Sequence, residues 1–339
     1  MSRATGPVVR AIVGVAVSVV ALAIVLRGVD IGRTAGIVGA ASPAWLGLML
    51  VFASLDLALR AIRWQRLLAP IKRVAFPPML GYLLIGYLAN NVLPARLGEL
   101  VRSHYLGDRE GVSRTMTLGT VVVERVIDTA VVVAIAAASI LVLHVRGVVA
   151  NAVLVGLAVT AVLVVGLAVG ILAHRLPYAD RVVARIEHLP RVVDAGRKLQ
   201  GGLSVAGRPR TVAEAVALTF AAWTASTLAF AAAGQAVGTQ LTVGEAALLA
   251  SGVALAAAIP AGPGNLGTYE LAGVAIAALF GIGPDRAFAI AVLAHAGVLL
   301  VTSVGGAVAL VRIGWARSAA PAERVAAERP VDRPVERPS

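Results

Sequence analysis

The sequence predicts an all-α polytopic membrane protein: about six full transmembrane helices plus two re-entrant, or short paired, helical hairpins in an inverted-repeat architecture. Three observations carry that prediction. Of the 339 residues, 59% are apolar and 14% are charged, whereas a soluble domain averages about 45–50% and about 25%. The apolar residues fall into runs close to the roughly 20 residues needed to cross a bilayer. Lys and Arg gather in the short segments between those runs, as orientation in a membrane requires. The same composition excludes an ordinary soluble enzyme, and it excludes a disordered chain, which is poor in apolar residues.

The elements follow in order. Val8 to Leu26 is long enough to span. Arg3 and Arg10 give it the look of a secretion signal, but the run is long for one and no small-residue cleavage site precedes Arg27. It is therefore a retained first helix with a cytoplasmic N-terminus. Trp45 to Leu59 is the second span, and Arg60, Arg63, Arg66, Lys72 and Arg73 after it form a basic cytoplasmic loop. Asp56 lies inside this span, where a carboxylate is costly unless partnered. Four further spans are expected at about Thr115–Leu143, Val148–Ala173, Thr211–Ala233 and Ala287–Val311. Between the middle two, residues 174–210 form a basic cytoplasmic linker whose apolar residues recur at helical spacing, as in an amphipathic surface helix.

Two apolar segments are too broken to be ordinary spans. Phe76 to Leu93 is interrupted by Gly81, Gly86 and Asn90-Asn91 and stops at Pro94; Ala246 to Ile259 stops at Pro260 before a Gly/Pro-rich break and Glu270. If each dips in and returns to its own side, every strongly basic loop (60–75, 95–114, 174–210 and the tail) falls on the cytoplasmic side. Full crossing of both hairpins gives the same parity. The chain then divides into a transmembrane domain, residues 1–312, built from repeats at about 8–143 and 148–312, and a Pro/Arg/Glu-rich tail, 313–339, expected to be disordered. The hairpins also resemble one another: Leu93-Pro94-Ala95 then Leu97-Gly98-Glu99-Leu100 parallels Ile259-Pro260-Ala261 then Leu266-Gly267 and Glu270-Leu271. Interrupted segments at matching positions of inverted repeats are the best sequence pointer to a midplane binding site.

The candidate substrate-binding residues are Asn90, Asn91, Arg96, Glu99, Arg102, Glu124, Arg125, Asp128 and Glu270. Arg96, Glu99 and Arg102, three apart, share one helical face; two cations around a carboxylate suit a phosphate. A juxtamembrane salt-bridge ladder is the plainer alternative. Glu124, Arg125 and Asp128 must point into the bundle, to bind substrate, relay protons or neutralise Arg96 or Arg102. Glu270 is the counterpart of Glu99; buried and unpaired, it could couple proton movement to transport. His295 is alone in the last span and reads as a packing residue. The helix breaks are assigned to Pro94, Gly98, Pro260, Pro263, Gly264 and Gly267.

No cofactor or metal site is expected: cysteine is absent, no second His stands at ligand spacing, and no nucleotide loop or hydrolase motif occurs. The net charge of +12 is explained by the loop arginines, and with no basic, aromatic-interleaved face a nucleic-acid partner is excluded.

Taken in order, Arg63-Trp64, Asn90-Asn91-x-x-Pro94-x-Arg96-x-Gly98-Glu99-x-x-Arg102, Glu124-Arg125-x-x-Asp128 and Pro260-x-x-Pro263-Gly264-x-x-Gly267-x-x-Glu270 resemble the lysylphosphatidylglycerol synthase transmembrane region, also described as flippase-like integral membrane proteins. The resemblance covers about residues 8–312. It implies a multi-pass plasma-membrane protein handling a phospholipid or polyprenyl-phosphate-linked lipid. The family's bifunctional members carry a cytoplasmic aminoacyl-transferase domain, and none is expected after Arg312. The expectation is therefore a flippase or amphiphile transporter that is not an enzyme, with both termini cytoplasmic. The alternatives are a membrane enzyme or accessory subunit of lipid-linked glycan synthesis, or a non-transporting scaffold. Homo-oligomer formation stays open.

Overall fold

The computed structural model describes residues 5–93, 97–172, 190–259 and 261–327, with side chains placed between residues 12 and 313. Among them the chain is helical throughout, with no strand. An N-terminal helix α1 (Thr5–Leu26) turns by 88° into α2 (Ile31–Gly39). Asp30 makes the corner: its carboxylate accepts from the Arg33 amide at 3.0 Å, while its own amide donates to the Asp285 carboxylate at 2.8 Å. Long helices follow: α3 (Pro43–Leu68), α6 (Arg114–Leu143), α7 (Val148–Leu172), α9 (Pro209–Ala236) and α12 (Pro284–Ala327). Between them lie α4 (Phe76–Val92), α5 (Gly98–Glu110), α8 (Pro190–Leu203), α10 (Val243–Ala256) and α11 (Thr268–Ala278). Five helices are long and apolar enough to cross a membrane, and the bent α1–α2 pair can supply a sixth. The protein is an all-α polytopic membrane protein.

Each hairpin arm is short for a reason. At about 1.5 Å per residue, α4, α5, α10 and α11 measure roughly 26, 20, 21 and 17 Å, below the roughly 30 Å hydrocarbon core. Prolines at positions 77 and 78 start α4, and Thr242 with Glu245 caps α10 reciprocally. The arms of the first hairpin touch through glycine: a Cβ at Gly98 would lie 2.1 Å from the Gly86 carbonyl oxygen. The Gly98 amide instead donates to Asn90 Oδ1 at 2.7 Å. In the second hairpin Gly264 and Gly267 take positive φ, 65° and 86°, and a Cβ at Gly267 would meet the Ser18 carbonyl oxygen at 2.3 Å.

α3 lies along α9 as the central pair, α4 packs on α12, and α10 packs on α6. One buried cluster centres on Trp64, Leu68, Met79, Leu83 and Leu106, and a second on the alanines of α9 with Leu248, Leu249 and Ile290. Without a hydrophobic drive inside lipid, such alanine-rich faces hold by close van der Waals approach. By contrast α7 buries only Val153 among its described residues, as an evenly apolar helix facing lipid can.

The boundaries differ from the sequence expectation in places. α3 does not end at Leu59 but runs on to Leu68, so Arg60 and Arg63 are buried helix residues rather than loop cations. Their charges are neutralised inside the bundle, which a hydropathy scan cannot see. Within the expected linker α8 packs on α6, while residues 173–189 lie outside the described residues. α12 continues past position 312 to Ala327, and residues 328–339 lie outside the description.

Candidate functional site

Three helices deliver charge to one place. Asp56, Arg60 and Arg63 recur at intervals of four and three on α3, so they share a face. Glu124, Arg125 and Asp128 come from α6 and Arg102 from α5. Arg60 Nε donates to both Asp56 oxygens at 2.9 Å, and its Nη1 reaches Asp128 Oδ1 at 3.2 Å. Arg63 is fully buried and donates to Asp128 Oδ1 at 2.7 Å, Glu124 Oε1 at 2.8 Å and Thr219 Oγ1 at 3.0 Å. Glu124 is buried among Arg63, Arg102 and Arg125. Arg102 Nη1 lies 3.1 Å from Glu124 Oε2 with an angle short of a hydrogen bond, and its guanidinium sits over the Trp64 ring at 4.6 Å. Arg60 covers Trp223 likewise at 4.9 Å. Ions taken out of water need such dense pairing.

The network holds four guanidiniums against three carboxylates. Three of the arginines are enclosed; the Arg125 side chain stays 40% exposed, bonded to Glu124 Oε1 at 2.8 Å and 3.9 Å from Asp128 Oδ2. It faces a cavity of about 310 Å³ between the two hairpins. Its lining is partly charged and polar, with Asp56, Arg60, Arg125, Asp128, Glu99, Asn90 and Tyr87, and partly aromatic, with Trp223, Phe230, Tyr269 and the His295 imidazole. Gly264 and Asn265 bring the break of the second hairpin to the rim. Asn91 lines the cavity and donates to Thr302 Oγ1 at 2.9 Å and Ser303 Oγ at 3.0 Å, tying the end of α4 to α12.

Of the residues singled out in the sequence, Asn90, Asn91, Glu99, Arg125, Asp128 and Gly264 come together on this cavity. Arg102 and Glu124 stand behind it as buried partners, and Gly98 closes the first hairpin. Arg96, Pro94 and Pro260 lie outside the described residues, so the expected row of Arg96, Glu99 and Arg102 is described only in part. Pro263 begins a short 3₁₀ turn to Asn265. Glu270 is buried and paired: His295 Nδ1 lies 2.6 Å from its Oε1, and its Oε2 accepts the Gly267 amide at 2.6 Å.

Sequence reasoning missed Arg60 and Arg63 as members of the site, and it missed Trp223, Tyr87 and Tyr269. A signal for the arginines was present, because Asp56 stands one helical turn before Arg60. The aromatics carried none, since an aromatic in a span looks the same whether it faces lipid or a cavity.

No solved structure matches the chain. The glycosyltransferase AglD of Haloferax volcanii is 29% identical to it over 341 residues, an alignment covering 88% of this chain and 53% of the relative. The chain thus spans about half the length of the curated relative it matches. That relative overturns the expectation that the chain is not an enzyme, because the protein it resembles is named for a catalytic activity. A membrane protein of a lipid or glycan pathway is the common ground. The model of the lysylphosphatidylglycerol synthase transmembrane region matches residues 11–306, and the chain belongs to that family.

Proposed function

We propose that the chain carries a phosphate-bearing lipid between the leaflets of the plasma membrane, with both termini in the cytoplasm. The observation that carries this reading is the half-exposed Arg125 in a cavity framed by two broken hairpins. A guanidinium fork binds phosphate bidentately, and Glu99 in the same cavity accepts from hydroxyl or ammonium groups of the head. The acyl or polyprenyl chains stay in lipid. The packing of α4 on α12 and of α10 on α6 supports an inverted repeat, in which each hairpin leans on the last span of the other half. Rocking of the halves then exposes the cavity to either side.

A second reading, that the chain takes part in making a lipid-linked glycan, is favoured by the likeness to AglD and by the aromatic side chains lining the cavity, on which a sugar ring can stack.

The test is reconstitution into liposomes carrying head-group-labelled anionic and zwitterionic phospholipids, with a membrane-impermeant quencher added outside. Quenching beyond the outer-leaflet share is expected for the wild type. It should vanish in Arg125→Ala and Glu99→Ala while both variants still insert. Wild-type quenching retained by both variants sinks the cavity as the route. Lipid extracts from expressing cells separate the second reading, which requires a glycosylated product.

A further inference from the structure

Glu270 and His295 raise a question of hydrogen bookkeeping that the charged network does not. His295 Nε2 lies 2.8 Å from the Gly264 carbonyl oxygen and Nδ1 lies 2.6 Å from Glu270 Oε1. A carbonyl oxygen only accepts, so Nε2 must carry a hydrogen. The remaining contact, between Nδ1 and a carboxylate oxygen, also needs a hydrogen, held either by the imidazole or by the carboxyl. Both residues are buried, and the other Glu270 oxygen is occupied by the Gly267 amide. Without that second hydrogen a lone pair on Nδ1 would face an anionic oxygen at hydrogen-bond distance.

From this we infer that Glu270, His295 and the Gly264 carbonyl form a proton-binding site, and that the bound proton clamps the break of the second hairpin against α12. The clamp has three fingers: the imidazole holds the carbonyl of Gly264, the carboxylate holds the amide of Gly267, and the proton joins the two side chains. Both glycines sit at positive φ, so the turn depends on these partners rather than on regular helix bonds. His295 lines the cavity, which gives the proton a way in and out.

The surroundings leave the pair to itself. Tyr269 stacks on His295 at 3.9 Å between ring centroids, with Phe230 stacked beyond it. From α1, Ser18 accepts the Gly262 amide at the hairpin break, while α4 contributes Tyr87, Asn90 and Asn91 and α10 contributes apolar residues to the shared cavity. Asp56, Arg60, Asp128, Arg125 and Glu99 also line the cavity, and none of them forms an ion pair with Glu270 or His295 among the described residues. On the reading above, release and uptake of this proton is the ion movement tied to head-group transfer.

Glu270→Gln isolates the proton. The amide nitrogen of glutamine can donate to Nδ1 and its oxygen can accept from Gly267, so every hydrogen bond is kept without a proton shared between the two side chains. The purified full-length protein in detergent is unfolded thermally at intervals from about pH 5 to about pH 10, a range that spans histidine and shifts of several units. A proton bound in the folded protein at a pH where the unfolded chain has released it makes stability fall as pH rises. Relative to Glu270→Gln, the wild-type midpoint should drop by about 2 °C per pH unit where the proton leaves the unfolded chain but not the folded one. Parallel curves across the range overturn the site.

If the variant does not fold, the wild type alone decides. Nitrogen-15 spectra of histidine-labelled protein should show one of the five imidazoles keeping its bound proton, or changing state, above the pH at which the others have finished. Five alike overturn the proposal. Neither measurement involves lipid, so failure here leaves the transport reading standing, and failure of lipid movement leaves these results unchanged.

Discussion

Glu124 makes contact with three arginines and no solvent. Removing one member of a buried ionic cluster costs about 3–5 kcal/mol, because the partners stay buried without compensation. Glu124→Gln should therefore lower the unfolding midpoint of the purified protein far more than Glu99→Gln, whose parent side chain makes no ion pair among the described residues. Equal losses would remove the distinction drawn between the enclosed network and the cavity wall. Arg125→Lys keeps the charge at the wall but loses the planar fork. It should preserve the fold and slow lipid movement in liposomes, by about tenfold for each ~1.4 kcal/mol of binding lost. At this scale the sequence was legible where charge interrupts an apolar run, as at Glu124, Arg125 and Asp128. It was misleading where charge sat at the end of a run. Arg60 and Arg63 look the same as loop arginines until the carboxylates that neutralise them, 61 to 68 positions away, are brought alongside.

The first hairpin depends on glycine where its arms meet. Gly98→Ala places a methyl within 2.1 Å of the Gly86 carbonyl oxygen, and overpacking of this kind costs about 1–3 kcal/mol. The arms must part, and the Asn90–Gly98 hydrogen bond goes with them. Gly36→Ala in α2 is the matched control, since nothing lies within 4 Å of the added carbon. It should leave the midpoint unchanged or raise it slightly. The existence of both hairpins was legible because Pro, Gly and Asn interrupt hydrophobic runs that are otherwise continuous. The 88° turn between α1 and α2 was not, because it is made by Asp30 bonding Asp285, a residue from the far end of the chain.

For the whole molecule, α3 and α9 form the most extensive helix pair. Because α9 crosses once between the turn at Arg208 and the loop at Gln240, those two exposed positions should face opposite sides. The chain has no cysteine, so Arg208→Cys and Gln240→Cys can each be labelled with an impermeant maleimide without any background. In sealed vesicles only one of the pair should react before permeabilisation. Reaction of both would remove α9 from the spanning helices. The fold class was legible because composition alone demands it. The cavity was not, since it belongs to the meeting of α3, α6, α9 and the hairpins and is encoded in no single segment.

Ser18 has consequences for the order of assembly. Its hydroxyl accepts the amide of Gly262, 244 positions later, and its carbonyl oxygen is the atom that Gly267 is glycine to accommodate. A helix made early is thus the mould for a hairpin made more than 200 residues later. Until Gly262 is made, that face of α1 must be occupied by lipid or by the insertion machinery. A nascent protein stalled before the second hairpin has no finished cavity.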